Sequence, residues 1–185
     1  NVPDTDPPPE LDWNRWVGPA PMQPYNPLMT KGSFHHCSFM EFSGGWMPGM
    51  APHIIDLPVW ALELGLPTQV SCSGGRFVIK DRGNQPDVQE ALIQYPDLTM
   101  TWMMNLTNSY GWDFEGNGGR RRRLGIYFHG EKATLYANYT MHTIVPEDDP
   151  KAELPLPGKT LARPKSHQRE WVDAVKTRAQ PRCNV

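Results

Sequence analysis

His53 is the residue of this chain best placed to move a proton. It follows a turn-rich approach, Gly44-Gly45-Trp46-Met47-Pro48-Gly49-Met50-Ala51-Pro52, and precedes Ile54-Ile55-Asp56. A neutral imidazole exchanges a proton with a hydroxyl near neutral pH, the step that interconversion of an alcohol and a carbonyl requires. Pro52 suits a first helical turn, and the positive end of a helix disfavours an imidazolium at its start. Asp56 and Trp60 follow at spacings of three and four, which puts all three side chains on one helical face. Asp56 is then one turn from the ring, in place to orient it or to bind a substrate hydroxyl. A plainer reading stands beside this one: a helix-start histidine that only caps backbone groups.

Other chemistry-bearing residues are less promising. His35-His36-Cys37 has metal-ligand residue types, but adjacent side chains on an extended chain point to opposite faces, so both histidines cannot easily reach one ion. No metal site is expected. Tyr127 and His129 alternate with Ile126 and Phe128, so they read as a sheet surface or a subunit contact. His167 lies beside a helix N-cap, where local hydrogen bonding explains it. The chain has no Gly-x-Ser-x-Gly, no Walker lysine loop and no HExxH, which weighs against serine hydrolase, NTPase and zinc peptidase chemistry. Gly116-x-Gly118 lacks its third glycine and a following helix, so Rossmann-type dinucleotide binding is not expected from this chain. Arg120-Arg121-Arg122-Arg123 has no interleaved aromatics and reads as a solvated loop. Cys37, Cys72 and Cys183 are an odd, widely spaced set, read as free thiols.

The elements that must position these residues are read from composition and periodicity. The 185 residues carry 18 basic and 20 acidic side chains, a net charge of -2, so nothing points to nucleic acid or an anionic membrane surface. No run of about eighteen apolar residues occurs, so no membrane span is expected. A hydrophobic fraction of 38% rules out wholesale disorder, and 20 prolines with 16 glycines predict many turns and long connections. Residues 1–32, with Pro7-Pro8-Pro9 and Gly18-Pro19-Ala20-Pro21, are expected to be an extended arm without helix, whose Trp13 and Trp16 pack on a partner surface. Residues 33–185 are expected to form one α+β substrate-binding and oligomerisation domain.

Within that domain a helix is expected over residues 53–64, kinked at Pro58 and stopped by Gly65. Strands are expected at 70–73, 77–80, 88–95, 98–106, 124–129 and 133–139. The clearest alternation sets Leu98, Met100, Trp102, Met104 and Leu106 against Thr99, Thr101 and Asn105. Short turns at 95–98 and 129–132 make the strands antiparallel neighbours in one meander, interrupted by a polar loop over 108–123. A proline-rich connection over 146–164 leads to a closing helix from Ser166 to about residue 179, with Trp171, Val172 and Val175 as its apolar stripe. Both termini read as cuts, so a piece of a longer protein is expected.

Several phrases occur in a telling order. Leu11-Asp12-Trp13-Asn14-Arg15-Trp16-Val17-Gly18-Pro19-Ala20-Pro21 is followed by Gly44-Gly45, by His53-Ile54-Ile55-Asp56 and by Trp60. Gly65-Leu66-Pro67, Arg123-Leu124-Gly125-Ile126-Tyr127-Phe128-His129-Gly130 and residues 167–178 complete the series. Together, over nearly the whole chain, they resemble the C-terminal domain of the Gfo/Idh/MocA oxidoreductases, in the bacterial-type branch. The resemblance implies an α+β domain with an open, mostly antiparallel sheet packed with helices, of the glyceraldehyde-3-phosphate dehydrogenase type. It implies a missing N-terminal Rossmann domain that would bind NAD or NADP and supply a catalytic lysine, so that the chain alone would be inactive and hold no cofactor. It also implies a homo-oligomer formed through the open sheet face.

By this resemblance His53 matches the histidine that faces the nicotinamide, and Asp56 matches the acid after it. Trp46 would be a stacking wall for a sugar ring, with His36 completing the substrate-binding set. The implied activity is oxidation of a carbinol of a sugar, glycoside or cyclitol. Two other functions fit the same fold: an NAD-dependent glycosidase that works through transient oxidation, and a non-catalytic carbohydrate-binding or assembly module. The compartment stays open between cytoplasm and export. The chain departs from the family pattern at Gly49, where many members have an acid, and at Ala51, where they have glycine. Losing the acid removes a partner for proton transfer and puts the ordinary dehydrogenase mechanism in doubt.

Overall fold

The computed structural model describes residues 2–32, 35–107, 124–139, 141–149, 151–160 and 166–181. The sheets divide differently from the single meander expected. Among the described residues β1 (Gln69–Gly75), β2 (Val88–Gln94) and β3 (Thr99–Asn105) form one antiparallel sheet, and β4 (Ile126–His129), β5 (Ala133–Ala137) and β6 (His142–Pro146) form a second. The division falls at residues 108–123, so the polar loop, the arginine run and Gly116-x-Gly118 lie outside the described residues. Strand β6 was not expected; it ends at Pro146 on the sheet's edge, where a missing ladder donor is tolerated.

The alternation read over 98–106 is kept. Trp102 and Met104 are buried, and Thr99, Thr101, Met103 and Asn105 are exposed. Register carries the buried face across the sheet, with Ala91 opposite Trp102 and Ile93 opposite Met100.

Residues 77–80 are not a strand. The N–H groups of Phe77, Val78 and Ile79 donate to the Asp87 carboxylate at 2.9, 2.9 and 2.7 Å instead of to a neighbouring strand. Asp87 is fully buried. Burial pushes its carboxyl pKa up, but the three backbone donors and the nearby Arg76 guanidinium outweigh burial and hold it below the usual carboxylate value. Arg76 also bridges Asp81 and donates to the Gln85 carbonyl at 2.9 Å, so residues 76–87 form a closely tied loop.

Proline sets where the central helices start. In α3 (Trp46–Met50) and α4 (Asp56–Ala61), which follow the arm segment, Pro48 and Pro58 each occupy the third position. There the backbone N–H has no intrahelical acceptor, so losing it is harmless. An earlier start would put Pro58 inside the helix, and the continuous helix expected over 53–64 therefore becomes a 3-10 turn, Ala51–His53, and the six residues of α4. The helix also ends before Gly65: Leu62 caps it, and Glu63 adopts a φ of 51°.

The N-terminal arm is folded, contrary to expectation. It contains α1 (Trp13–Val17), whose N-cap Asp12 accepts from Arg15 N, and α2 (Pro27–Thr30), capped by Asn26. Trp13 and Trp16 stack at 4.8 Å, and Trp16 packs edge-on against Phe42 at 4.7 Å. The tryptophans thus find their surface within the chain, beyond residue 32. The 76–87 loop clasps the arm and the segment after it: Arg82 pairs with Asp4, and Asn84 N and Gln85 N donate to Ser38 O. At the other end α5 (His167–Thr177) begins as expected on Ser166, whose hydroxyl accepts from Arg169 N. None of its residues is buried, and the stripe residues Trp171 and Val175 stand exposed.

Candidate functional site

The segment of residues 46–62 lies across one face of the first sheet. Ile54 is buried against Ala91, Ile93, Trp102 and Met104, with Met47 and Met50 packed around them. Beside this core opens a cleft of about 1120 Å³. Trp46, Ile54, Pro58 and Leu62 form its helical wall, and the outer edges of β3 and β4 form the remainder. Its described lining contains no Asp, Glu, Lys or Arg, and His129 is the one histidine.

Trp46 is held in place by contacts made behind it. Its indole N–H donates to the Ser38 hydroxyl at 3.1 Å, and Ser38 is fixed in turn by the two backbone donors of the 76–87 loop. The residue before it, Gly45, has a φ of 100°. A Cβ there would also lie 2.8 Å from the Gln85 side-chain oxygen, so both backbone and space demand glycine. The Gln85 amide donates to Ser43 O at 3.0 Å and completes the clamp.

Of the four site residues read from the sequence, Trp46 alone lines the cleft. His53 closes the 3-10 turn and does not start a helix, which removes the helix-end argument for its neutral form. Its ring is exposed and meets Tyr139 edge-on at 6.2 Å. Asp56 is exposed in the first turn of α4. Both occupy the outward side of the segment whose inward side carries Ile54 and Pro58. His36 lies elsewhere, half-buried in the turn His35–Ser38, with Nε2 3.7 Å from the Cys37 sulfur. Tyr127 and His129 are not simple surface residues: their rings stack, and both line the cleft.

Gly49 has a structural reason. A Cβ built there would lie 3.2 Å from the buried Cys37 sulfur, tighter than ordinary contact. A side chain at this position would require the Cys37 sulfur to give way by a few tenths of an ångström. Gly49→Asp is expected to lower stability by about 1–3 kcal/mol, measured by urea unfolding, and Cys37→Ala in the same chain to restore part of it. Undiminished stability in Gly49→Asp would contradict this account.

Sequence reading missed Trp102, which it placed on an apolar strand face. Trp102 is 8% exposed and lines the cleft, yet its indole N–H has no acceptor among the described residues. Leaving such a donor unpaired costs about 1–3 kcal/mol. A tryptophan in an otherwise aliphatic stripe was the available signal, since its N–H normally finds a partner when buried.

Among the described residues no three His, Cys, Asp or Glu side chains gather as metal ligands, and no helix is long and apolar enough to cross a membrane. Among the described residues both sheets are antiparallel and no strand–glycine turn–helix unit forms, so these residues do not fit a dinucleotide. A family model described as the C-terminal alpha/beta domain of an oxidoreductase family, of Gfo/Idh/MocA type, matches residues 1–184. No curated protein and no solved structure matches the chain. With its α+β architecture and a match over nearly its whole length, the chain belongs to the Gfo/Idh/MocA oxidoreductase family and is a C-terminal domain of that family.

Proposed function

We propose that this domain is the substrate-binding and subunit-association part of an NAD(P)-dependent oxidoreductase acting on a carbinol of a sugar, glycoside or cyclitol. The family match over residues 1–184 carries the reading. The geometry supports it in two ways. Trp46 presents a clamped aromatic wall to the cleft, as a ring-binding site needs. His53 and Asp56 stand exposed on the outward side of the same segment, reachable by groups that another part of the protein presents.

NAD or NADP, which would accept the hydride, is assigned to a separate part of the enzyme. Residues of this chain would bind and orient the substrate, with His53 exchanging the carbinol proton and Asp56 supporting it. The exposed apolar side chains on the solvent face of the first sheet, Leu92 and Met103, suit association of subunits. Incubating the complete protein with NAD and NADP and a panel of sugars, glycosides and cyclitols is expected to give reduced cofactor and a keto product. Sedimentation of the same sample is expected to show an oligomer. Absence of turnover with every class, or a monomer at micromolar concentration, would contradict the corresponding half of the proposal.

A second reading is favoured by one observation. Gly49, packed against Cys37, stands where the resemblance places the acid associated with proton transfer, and a side chain there would crowd the Cys37 sulfur. A non-catalytic carbohydrate-binding module would bind sugar in the complete protein without reducing any cofactor, which the same assay distinguishes.

A further inference from the structure

We infer that the cleft between β3 and β4 receives an uncharged, ring-containing body with a carbonyl or ether oxygen, the aglycone of a glycoside, and that this oxygen accepts from the Trp102 indole N–H. The inference rests on the functional reading above only for the sugar that such an aglycone would carry.

The first ground is the donor itself. Trp102 is more than nine-tenths buried, lines the cleft and has no acceptor for Nε1 among the described residues. Buried polar groups are paired in the great majority of cases, so an orphan in a cavity wall marks where a ligand acceptor belongs. The second ground is the character of the walls. Ile54, Pro58, Leu62, Met100 and Leu124 offer no hydrogen bonds and Trp46 adds a ring face, while Thr99, Thr101, Asn105, Tyr127 and His129 supply the few polar side chains of the described lining. A sugar carries a hydroxyl on nearly every carbon, and each one placed against the apolar part of the lining rather than beside one of these few groups opposes binding. A fused-ring aglycone loses only apolar hydration and needs one or two polar contacts.

Charge and size agree. The described lining contains no Asp, Glu, Lys or Arg and so offers no counter-charge for an ionised ligand. The cleft volume of about 1120 Å³ lies just above the range for sites that enclose drug-sized molecules, roughly 300–1000 Å³. A single hexose would leave most of it unfilled.

The test uses the full-length protein and three probes in titration calorimetry: 7-hydroxycoumarin, its β-glucoside and methyl β-glucoside. The coumarin glucoside is expected to bind at least about tenfold tighter than methyl glucoside, from the apolar area it buries. Trp102→Phe keeps the ring and removes the donor; it is expected to weaken both coumarin ligands about three- to tenfold and leave methyl glucoside unchanged. Because Trp102 is a core residue, Leu62→Arg serves as the second variant. Leu62 is half-exposed at the cleft, so the change spares the core while blocking the site, and tenfold or greater loss of coumarin binding is expected.

Coumarin binding no tighter than that of methyl glucoside, or unmoved by both variants, overturns the inference and leaves the oxidoreductase reading intact if sugar turnover persists. Coumarin binding that depends on Trp102, with no cofactor reduction from any glycoside, keeps the cleft assignment and removes the oxidoreductase reading. A Leu62→Arg protein whose association state changes while coumarin never binds would show a second copy in the cleft and overturn the inference as well.

Discussion

Alanine at position 53 is expected to lower kcat/KM of the complete enzyme by about 10²–10⁴, the range that a positioned acid/base contributes. Folding stability is expected to stay within about 0.5 kcal/mol, as for other exposed positions. The two expectations separate because the His53 ring is exposed and its one described ring contact, with Tyr139, is itself at the surface. A histidine that only supported the fold would show the reverse, a stability loss with chemistry spared. Asp56→Asn, which keeps size and removes charge, is expected to cost about tenfold in kcat/KM. Turnover of His53→Ala within a few-fold of the parent would remove the assignment.

Asp87→Ala is expected to be the most damaging single change to the fold, lowering stability by about 3 kcal/mol or more, read from urea unfolding. Three backbone donors converge on this fully buried carboxylate, and none has a strand partner to return to. Losing it also releases Asn84 and Gln85, which fix Ser38 and through it Trp46. Asp87→Asn keeps the shape and one acceptor oxygen, so it should fall between alanine and the parent. The parent's pH dependence has a defined sign. The folded-state pKa of Asp87 lies below its ordinary value, so its contribution is complete above the unfolded-state value of about 4 and is lost as pH falls through the folded-state value. The acid limb of the stability curve should therefore be shallower in Asp87→Ala. An unchanged acid limb would contradict the role given to this carboxylate.

Local patterns were legible in the sequence and long-range ones were not. The alternation at 98–106 was readable because Trp102 and Met104 face a helix layer while Thr99 and Thr101 face solvent, and a period of two records that difference directly. The Ser166 cap was readable because capping is a contact between residues three apart. Residues 77–80 looked like a strand because Phe77, Val78 and Ile79 are strand formers; a single carboxylate eight to ten positions later takes their donors, and no periodicity encodes that. Pro58 was read as a kink when its third-position placement in a short helix makes it an ordinary start. The arm was read as extended from its prolines, whereas Asp12 and Asn26 were the cap signals that outranked them.

The site was less legible than the fold. His53 and Asp56 were chosen for their chemistry, and their outward position follows from a turn boundary that spacing alone did not give. Trp46 was named as a stacking wall for a sugar ring; the structure places it in the cleft lining, and the residues that hold it, Ser38 and Gln85, come from segments remote in sequence. Trp102 escaped notice because burial of its ring was readable and the isolation of its N–H was not.

The two sheets and the clasp around the arm differ in how far along the chain their contacts reach. Each sheet is a meander in which strands pair with their sequence neighbours, so little entropy is lost in bringing them together. The clasp joins residues 42, 44 and 78 positions apart, through Gln85 to Ser43, Asn84 to Met40 and Arg82 to Asp4. Non-local contacts of this kind are rewarded only after the intervening chain is already ordered. The hairpins therefore assemble first and the clasped stretch from the arm to Ser43 docks last, which makes the aromatic wall held by Ser38 a late-forming part of the molecule and its opening a lower-energy event than melting of the strands beneath it.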